Sequence, residues 1–553
     1  MNKIAEQRRA NKKAYPKGRQ VDAESLKKVQ ELLAGQPKER EFLIENLHIL
    51  QDHFGRLTAD SLVALAQEMK VSQSEVYEVA TFYHHFEVIR QEAEGFPEYT
   101  VRICNSIACE LAGANELIEK VKSNMGELVR VSAVPCVGNC HNAPVAVYGK
   151  RQIENADLME IGNALDKNLT APELPDYQDL ENFQEDGGYG FLNACLANEK
   201  QRSDIIKELT EANLRGMGGA GFPVARKWQF LEKTDKPRVL VVNADEGEPG
   251  TFKDRYCFET APHKILEGML IAAWWIEADD TYIYLRDEYP HINELLKIEI
   301  EKIEKAGLST HTNIYLRRGA GAYICGEESA LLESIEGKRG LPRNRPPFPA
   351  QQGLFQRPTL INNVETLYWV REILSNGADW YQSEGKPRFY SVSGRVKNPG
   401  VILAPAGTSA KTLIEDHCGG MADGHTLKAF LPGGASGGIL PASLVDEPLD
   451  FGSLDAHGCF VGSAAIVVFS DQDDIRDISS NLLRFFEDES CGQCTPCRLG
   501  CGKMLDLMGS KKWDEELIAD LSQVMRDASI CGLGQAAPNS VSSALRFFGE
   551  DIK

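Results

Sequence analysis

The sequence contains no apolar run long enough to cross a membrane. Its longest run, around Met269 to Ile276, falls short of the roughly 18–20 residues that a spanning helix needs. The N-terminus also lacks the apolar segment of a secretory signal. From these two absences we predict a cytoplasmic protein without a membrane span.

An excess of positive charge is absent as well. The 553 residues carry a formal net charge of −21, whereas binding to nucleic acid needs a face of clustered lysine and arginine. We therefore expect no nucleic-acid partner. The exception is the basic stretch 1–20, which we interpret as an arm able to dock on a partner protein.

The length is too great for one ordinary core and predicts three to five domains. Changes in residue pattern mark their order. They predict a basic arm at 1–20, a helical segment at 21–96, a small domain of strands and helices at 97–168, a polar linker at 169–190, a domain of alternating strands and helices at 191–385, a β-rich domain at 386–470 and a helical domain at 471–553. Alternating strands and helices are typical of an α/β layer structure.

The fourteen cysteines should not form disulfides in a chain without an export signal. A first group consists of Cys104, Cys109, Cys136 and Cys140, with four residues inside the first pair and three inside the second. Paired zinc ligands are usually separated by two residues. The wider spacing favours a 2Fe–2S cluster, with zinc as the main alternative and four free cysteines as the other.

A second group contains Cys491, Cys494 and Cys497, with two residues in each gap. This spacing is typical of a loop that wraps one face of a 4Fe–4S cluster and leaves one iron for a distant ligand. We predict Cys531 as that ligand. Cys501 lies at the spacing of a ferredoxin motif, but Gly502 replaces the proline of that motif, and we expect Cys501 to be a bystander.

A glycine-rich loop and two acidic sites predict a nucleotide site. Gly216 to Gly221 matches G-x-G-x-x-G, although a helical pattern precedes it where a Rossmann motif has a strand. Its glycines allow backbone N–H groups to approach a phosphate or a flavin ring. The acidic stretch 243–250 follows a strand-like run, and a second one, 323–328, follows another glycine-rich turn. Strand ends in α/β sheets are where ligands bind; a flexible turn and solvated acidic loops are the alternatives.

Residues 214–539 resemble the flavin-bearing, NADH-oxidising subunit of respiratory complex I. The resemblance rests on the motifs RGMGGAGFP, NADEGEPGTFKDR, GAGAYICGEESAL, PPFPAQQG, INNVET and ESCGQCTPCR with CGLG. Residues 41–165 resemble the thioredoxin-like 2Fe–2S subunit of that enzyme, here joined to the flavin subunit. The resemblance implies a multidomain α/β and α+β protein. It would contain a thioredoxin-like 2Fe–2S domain, a Rossmann-like FMN and NADH domain, a small ubiquitin-like β-grasp (SLBB) domain and a C-terminal helical bundle with a 4Fe–4S cluster.

The resemblance also implies cofactor contacts at the matching positions. FMN would be held by Gly216, Gly218, Lys227, Asn243, Asp245, Glu246, Gly326, Glu327, Asn362, Asn363 and Thr366. NAD(H) would be held by Phe222, Phe230, Glu248, Tyr323, Glu328, Arg345 and Phe348, with Glu248 and Glu328 as the predicted catalytic residues. Two positions depart from the pattern: Arg345 stands where lysine is usual, and Met217 where arginine is more common.

The implied function is that of a diaphorase, which moves electrons between NAD(H), FMN and iron–sulfur clusters. Segments 418–441 and 449–471 most closely resemble the β subunit of NAD-dependent formate dehydrogenases. We therefore predict a molybdenum or tungsten formate dehydrogenase catalytic (alpha) subunit as the partner. The alternatives are the diaphorase subunit of an NAD-reducing nickel–iron hydrogenase and a complex I-like NADH dehydrogenase. A non-enzymatic alternative is an electron-transfer scaffold with a vestigial flavin site.

Overall fold

The computed structural model describes residues 18–89, 97, 99–126 and 128–552. They divide into two compact units, a smaller one of residues 1–94 with 336–339 and a larger one of residues 95–335 with 340–553. The predicted basic arm lies almost wholly outside the described residues. Within them, no helix is both long enough and apolar enough to cross a membrane.

The smaller unit is mainly helical, as its apolar spacing predicts. Its described helices are Ala23–Leu32, Leu43–Phe54, Ala59–Met69 and Gln73–Ala80, and its two short parallel strands are Leu57–Thr58 and Val88–Ile89. Ser72 caps the last of these helices through a capping box with Glu75, which satisfies backbone N–H groups that a helix start leaves free. A serine followed three residues later by a glutamate is the sequence pattern of such a box, and the helix begins directly after this serine.

The first part of the larger unit carries the thioredoxin-like region. Its sheet runs in the order Val129–Val134, Tyr99–Cys104, Ala146–Tyr148 and Arg151–Ile153. The first pair is parallel and the other two pairs are antiparallel. The helices are Ile107–Leu111, Ala114–Met125 and Leu158–Asp166. Val101 and Ile103 are fully buried, because every second residue of a strand faces the same side.

The segment 169–190, predicted as a polar linker, is not wholly irregular. It contains the helix Leu180–Glu185, and Leu180 and Phe183 on that helix are buried in the hydrophobic core around the central sheet of the larger unit. Their spacing of three residues places them on one helix face. This short apolar pair is easily overlooked among acidic neighbours, and it anchors the segment.

A four-stranded parallel sheet forms the centre of the larger unit. Its order is Thr359–Asn363, Arg238–Ala244, Ala278–Leu285 and Asn313–Arg318. The helices in this part are Gly190–Leu196, Arg202–Glu211, Val224–Gln229, Lys253–Thr260, Pro262–Ile276, Pro290–Lys305, Glu328–Ile335, Val364–Asn376 and Ala378–Ser383. The register places Asn243 opposite Asn363. Two amide side chains therefore lie side by side at the carboxyl edge of the sheet.

A β-grasp sheet and a helical bundle complete the larger unit. The sheet runs in the order Gly400–Ala404, Arg388–Gly394, Ala465–Ser470, Leu427–Leu431 and Leu440–Pro441, with a short helix at Ala410–Thr412. The last helices are Ile475–Asp488, Thr495–Met508, Glu515–Ala528, Gly532–Ala536 and Asn539–Ile552. These regions confirm the predicted fold class; the residue numbers at which the domains begin and end stay predictions.

Candidate active site

The glycine-rich loop lies against the end of the central sheet. The Gly216 N–H donates to the carbonyl of Phe222 at 2.9 Å, and the Met217 N–H donates to Thr366 Oγ1 at 2.9 Å. A Cβ atom added to Gly218 would lie 3.2 Å from the Cβ of Asn363. Because of this close approach, a side chain at Gly218 would push the loop away from the sheet edge.

The neighbouring strand end presents polar groups that are fixed by hydrogen bonds, with one exception. The Asn243 amide donates to the carbonyl of Gly326 at 2.8 Å, and Trp228 Nε1–H donates to Asn362 Oδ1 at 3.0 Å. Asp245 Oδ2 is buried and accepts no hydrogen bond. Burial raises the pKa of Asp245 well above its usual value. Buried polar atoms in proteins normally have a hydrogen-bond partner, so this carboxyl oxygen is available to a partner on a bound ligand.

Glu246 has a different environment, because its carboxylate is fully used by the protein. It accepts hydrogen bonds from the backbone N–H groups of Asp254 at 2.8 Å and Arg255 at 3.1 Å, and from the Tyr289 hydroxyl at 3.0 Å. Burial and the nearby Asp254 carboxylate raise the pKa of Glu246 to about 8. The side chain of Glu246 therefore secures the start of the helix Lys253–Thr260.

A buried ion cluster lies behind this edge of the sheet. Lys253 Nζ is 2.9 Å from Asp254 Oδ1 and 2.8 Å from Glu365 Oε2, and all three side chains are at most 6% exposed. The Asn363 amide donates to Asp254 Oδ2. The cluster thus fixes one of the two asparagines at the strand ends.

Glu248 is held by groups from two other parts of the larger unit. Its Oε1 accepts hydrogen bonds from the Ser436 N–H and hydroxyl, both at 2.7 Å, and its Oε2 accepts one from the Tyr323 hydroxyl. Gly434 has a φ of +76°, and a Cβ added there would lie 2.6 Å from Glu248 Cγ. Burial raises the pKa of Glu248. The β-grasp loop therefore determines where this carboxylate stands.

The cationic residues of the site are paired with acidic ones. Lys227 Nζ lies 3.3 Å from Glu328 Oε2, and Arg345 forms ion pairs with Glu327 and, at 3.3 Å, with Glu328. Glu327 also accepts hydrogen bonds from the Ser329 and Ala330 N–H groups, each at 2.9 Å. These contacts bring together four residues that the resemblance assigns to the two nucleotides.

Three phenylalanines of the predicted NAD(H) site are exposed. The exposed fractions are 40% for Phe222, 49% for Phe230 and 51% for Phe348. The ring centroids of Phe222 and Phe230 are 6.0 Å apart. Large aromatic side chains left in solvent are a feature of surfaces that bind flat or apolar ligands.

The first cysteine group is buried and its members are close together. Cys136 Sγ is 3.4 Å from Cys140 Sγ, and hydrogen bonds from Cys104 and Cys140 hold the pKa of the Cys136 thiol well below its usual value. Cys104 also contacts Cys109. None of the four forms a disulfide. Four buried thiols that lie close together and form no disulfide fit a cluster bound by thiolates.

The second group lies in the C-terminal bundle. Cys491 is close enough to Cys494, Cys497 and Cys531 to interact electrostatically with each. Cys501 lies one helical turn after Cys497, and its hydrogen bond lowers the pKa of Cys497 to about 7. Cys501 is thus a fifth thiol of this region, and it contacts the predicted cluster ligand Cys497.

Four family descriptions match the chain. They are "Thioredoxin-like [2Fe-2S] ferredoxin" over residues 29–168, "Nuo51 FMN-binding domain" over 209–372, "SLBB domain" over 389–440 and "NADH-ubiquinone oxidoreductase-F iron-sulfur binding region" over 477–553. Together they span the thioredoxin-like region, the central sheet, the β-grasp sheet and the helical bundle.

Curated relatives match about two thirds of the chain. An NADH-quinone oxidoreductase subunit of Rhizobium meliloti (strain 1021) is 40% identical over 403 residues, covering 68% of this chain and 94% of the relative. The chain belongs to the family of NADH-quinone oxidoreductase flavoproteins. A second member, the mitochondrial NADH dehydrogenase [ubiquinone] flavoprotein 1 of Dictyostelium discoideum, is 41% identical over 379 residues, covering 64% of this chain and 79% of the relative.

A solved structure resembles this oxidoreductase flavoprotein over nearly its whole length. It is the crystal structure of an NAD+-reducing [NiFe]-hydrogenase in the air-oxidized state. The two chains share 30% identity with a TM-score of 0.80, and the match covers 94% of each. The solved structure thus matches a larger share of this chain than either of the two curated relatives.

These findings confirm the cofactor classes and the general activity. The oxidoreductase flavoprotein has FMN-binding, 2Fe–2S and 4Fe–4S domains, and its activity is electron transfer of the NADH dehydrogenase type. The individual ligand residues and the formate partner stay predictions. Sequence reasoning assigned no role to Lys253, Asp254, Glu365, Ser436, Arg286 or Tyr289. Lys253 and Asp254 do stand in the motif NADEGEPGTFKDR, Glu365 in INNVET and Ser436 in segment 418–441, whereas Arg286 and Tyr289 lie in none of the motifs.

Proposed function

We propose that this chain is a diaphorase subunit that exchanges electrons between NAD(H) and a partner through FMN and two iron–sulfur clusters. The observation that carries the proposal is the free, buried Oδ2 of Asp245. It lies at the carboxyl edge of a parallel sheet, where α/β proteins bind nucleotides. The adjacent glycine loop leaves its backbone accessible to a flat ring or a phosphate.

FMN would be held by the glycine loop and by the strand ends. Gly216 and Gly218 provide the close backbone approach, and Asp245 provides the free acceptor. Asn243, Asn362 and the other predicted FMN contacts would complete the site. When bound, FMN supplies the conversion between two-electron and one-electron transfer that links a nicotinamide to clusters. Glu246 would act by holding the helix Lys253–Thr260 beside the site.

NAD(H) would bind along the exposed aromatic side of the site. Phe222, Phe230 and Phe348 offer ring faces for the adenine. Glu248, fixed by Tyr323 and Ser436, offers a carboxylate for ribose hydroxyls. No side chain needs to donate or accept a proton during the hydride transfer itself, so Glu248 and Glu328 contribute by placing the dinucleotide.

Replacing Asp245 tests the site directly. The full chain depleted of flavin would be titrated with FMN, and binding followed by the quenching of flavin fluorescence. Asp245→Ala should raise the dissociation constant roughly tenfold or more, because it leaves the buried polar group of FMN that this oxygen would bind without a partner, which costs about 1–3 kcal/mol. Asp235→Ala, at an exposed position, is the control. Equal dissociation constants for both variants would contradict the proposed FMN site.

The type of partner subunit is the more specific part of the proposal. A hydrogenase-type partner has the stronger support, because the solved relative matches 94% of this chain. A formate dehydrogenase-type partner is the second candidate. It is favoured by the resemblance of segments 418–441 and 449–471 to the formate dehydrogenase β subunit. The complete set of four cysteines, Cys104, Cys109, Cys136 and Cys140, also favours it, since some of the hydrogenase subunits that the sequence resembles lack part of this set.

Metal analysis of the native complex separates the two partners. The tagged chain would be purified anaerobically from its host with its bound subunits, and nickel, molybdenum and tungsten measured by mass spectrometry. Nickel near one atom per chain would support the hydrogenase-type partner. Molybdenum or tungsten at that level, without nickel, would overturn it in favour of the formate dehydrogenase type.

A further inference from the structure

A buried arginine, Arg286, connects the flavin-side strand edge with the loop of the first cysteine group. It follows the strand Ala278–Leu285, and its side chain is 4% exposed. Its Nη2 donates to the carbonyl oxygen of Cys136 at 2.6 Å, and its Nη1 donates to the carbonyl oxygen of Glu246. One guanidinium group therefore contacts the backbone of a predicted cluster ligand and the backbone of the proposed FMN site.

Tyr289 keeps this guanidinium in place. The Arg286 guanidinium carbon is 5.0 Å from the centroid of the Tyr289 ring, and the Tyr289 hydroxyl donates to Glu246 Oε2 at 3.0 Å. On the other side, Gly138 of the cysteine loop has a φ of +70°, and a Cβ added there would lie 2.2 Å from the Tyr289 hydroxyl oxygen. The loop thus packs directly on the tyrosine, and the cation has a fixed position beside it.

Charged neighbours determine how strongly this cation acts on the loop. Glu288 Oε1 lies 3.0 Å from Arg286 Nη2, and the Glu288 side chain is 13% exposed. This carboxylate offsets part of the positive charge. Arg255 also donates to the same loop, at the Gly138 carbonyl over 3.3 Å, but it is paired with Glu259 at 2.6 Å. Arg286 differs from Arg255 because it donates to the carbonyl oxygen of Cys136, which is a predicted cluster ligand.

We propose that Arg286 is a positioning residue that raises the reduction potential of the 2Fe–2S cluster at Cys104, Cys109, Cys136 and Cys140. The inference rests on the proposed function, which places a cluster at these cysteines. Uptake of one electron adds one negative charge to such a cluster, and no bond forms or breaks. A buried cation at a fixed distance stabilises the reduced state more than the oxidised state, because little water screens it.

The reduction potential of the cluster is the quantity to measure. The full chain with its clusters would be titrated with dithionite and redox mediators, and the reduced 2Fe–2S cluster followed by electron paramagnetic resonance. Arg286→Gln should lower the equilibrium constant for reduction more than tenfold, or about 59 mV for a one-electron couple. Arg286→Lys, which keeps the positive charge, should shift the reduction potential less. Glu288→Gln should shift it in the opposite direction, because it removes the offsetting negative charge.

Lys167→Gln is the matched control, since it removes one positive charge from an exposed position of the thioredoxin-like region, where water and salt screen it, and it should keep the wild-type potential. An unchanged potential in Arg286→Gln, with its cluster intact, would overturn the proposal. If Arg286→Gln fails to assemble the cluster, Glu288→Gln decides, and an unchanged or lower potential there would also overturn it. Iron content and the resonance signal of the wild type test the cysteine assignment separately, so failure of the proposed function would be recognised before any potential is compared.

Discussion

Replacing Lys253 with methionine should strongly destabilise the larger unit. Lys253 Nζ lies within 3 Å of the carboxylates of Asp254 and Glu365, and the exposed fractions of the three side chains are 2%, 6% and 1%. Methionine keeps much of the length of lysine but leaves two carboxylates buried without their cation. Removing one partner from a buried ion pair typically costs about 3–5 kcal/mol.

This cost can be expressed as a shift in the thermal midpoint. For a cooperative domain of roughly 150–250 residues, the size of the predicted domain 191–385 that contains Lys253 and Glu365, 1 kcal/mol lowers the midpoint by roughly 2–4 °C. Lys253→Met should therefore lower it by roughly 6–20 °C, measured by near-ultraviolet circular dichroism. The deficit should shrink on acidification, because burial raises the pKa of Asp254 and protonation of this carboxylate removes one of the unpaired charges. Lys397→Met is the control, since Lys397 pairs with Asp423 at exposed positions, where ion pairs contribute about 0–1 kcal/mol.

A double variant tests the reasoning further. Glu365 Oε1 accepts hydrogen bonds from the Phe389 N–H at 2.9 Å and from Trp369 Nε1–H at 3.1 Å, and glutamine keeps an acceptor there. Lys253→Met with Glu365→Gln should therefore recover part of the loss, because one of the two buried charges is gone. A midpoint for Lys253→Met equal to that of Lys397→Met, or a double variant less stable than Lys253→Met alone, would refute the account.

Three further changes test other parts of the larger unit. Glu248→Gln should weaken NADH binding, measured by fluorescence titration, while FMN stays bound; simultaneous loss of FMN would argue against the assignment. Cys494→Ala should abolish the 4Fe–4S resonance signal while NADH still bleaches the flavin, and a retained signal would exclude Cys494 as a ligand. Burial lowers the pKa of His263 below its usual 6.5, so below about pH 6.5 the unfolded chain binds a proton that the folded chain does not. The thermal midpoint should fall as the pH drops through this range, and His263→Gln should flatten that dependence; an identical slope would contradict it.

Local patterns in the sequence were sufficient to predict most secondary structure. The strand Tyr99–Cys104 and the capping box at Ser72 follow from residue alternation and spacing, which act over a few residues. The helix Leu180–Glu185 was missed because only Leu180 and Phe183 distinguish it from a polar linker. Only these two apolar residues indicated a helix, and the polar composition of the rest of the segment favoured a linker instead.

The contacts that shape the site could not be predicted in the same way. Ser436 and Glu248 are separated by 188 residues in the chain, and Arg286 and Cys136 by 150. Such pairs are brought together by the packing of separate domains. Glu248 and Cys136 stand in recognisable patterns, but nothing near Ser436 or Arg286 in the sequence indicates that they contact these residues. Resemblance to a family supplied the ligand candidates, but it gave no indication of the residues that hold them in place.

The central claim is tested most directly by an anaerobic titration of the full chain, carrying FMN and its clusters, with NADH. The visible spectrum would be recorded at each addition, and the final sample examined by electron paramagnetic resonance. The account predicts bleaching of the flavin band and the appearance of reduced-cluster signals. A chain whose flavin and clusters are reduced by dithionite but are unchanged by excess NADH would contradict it.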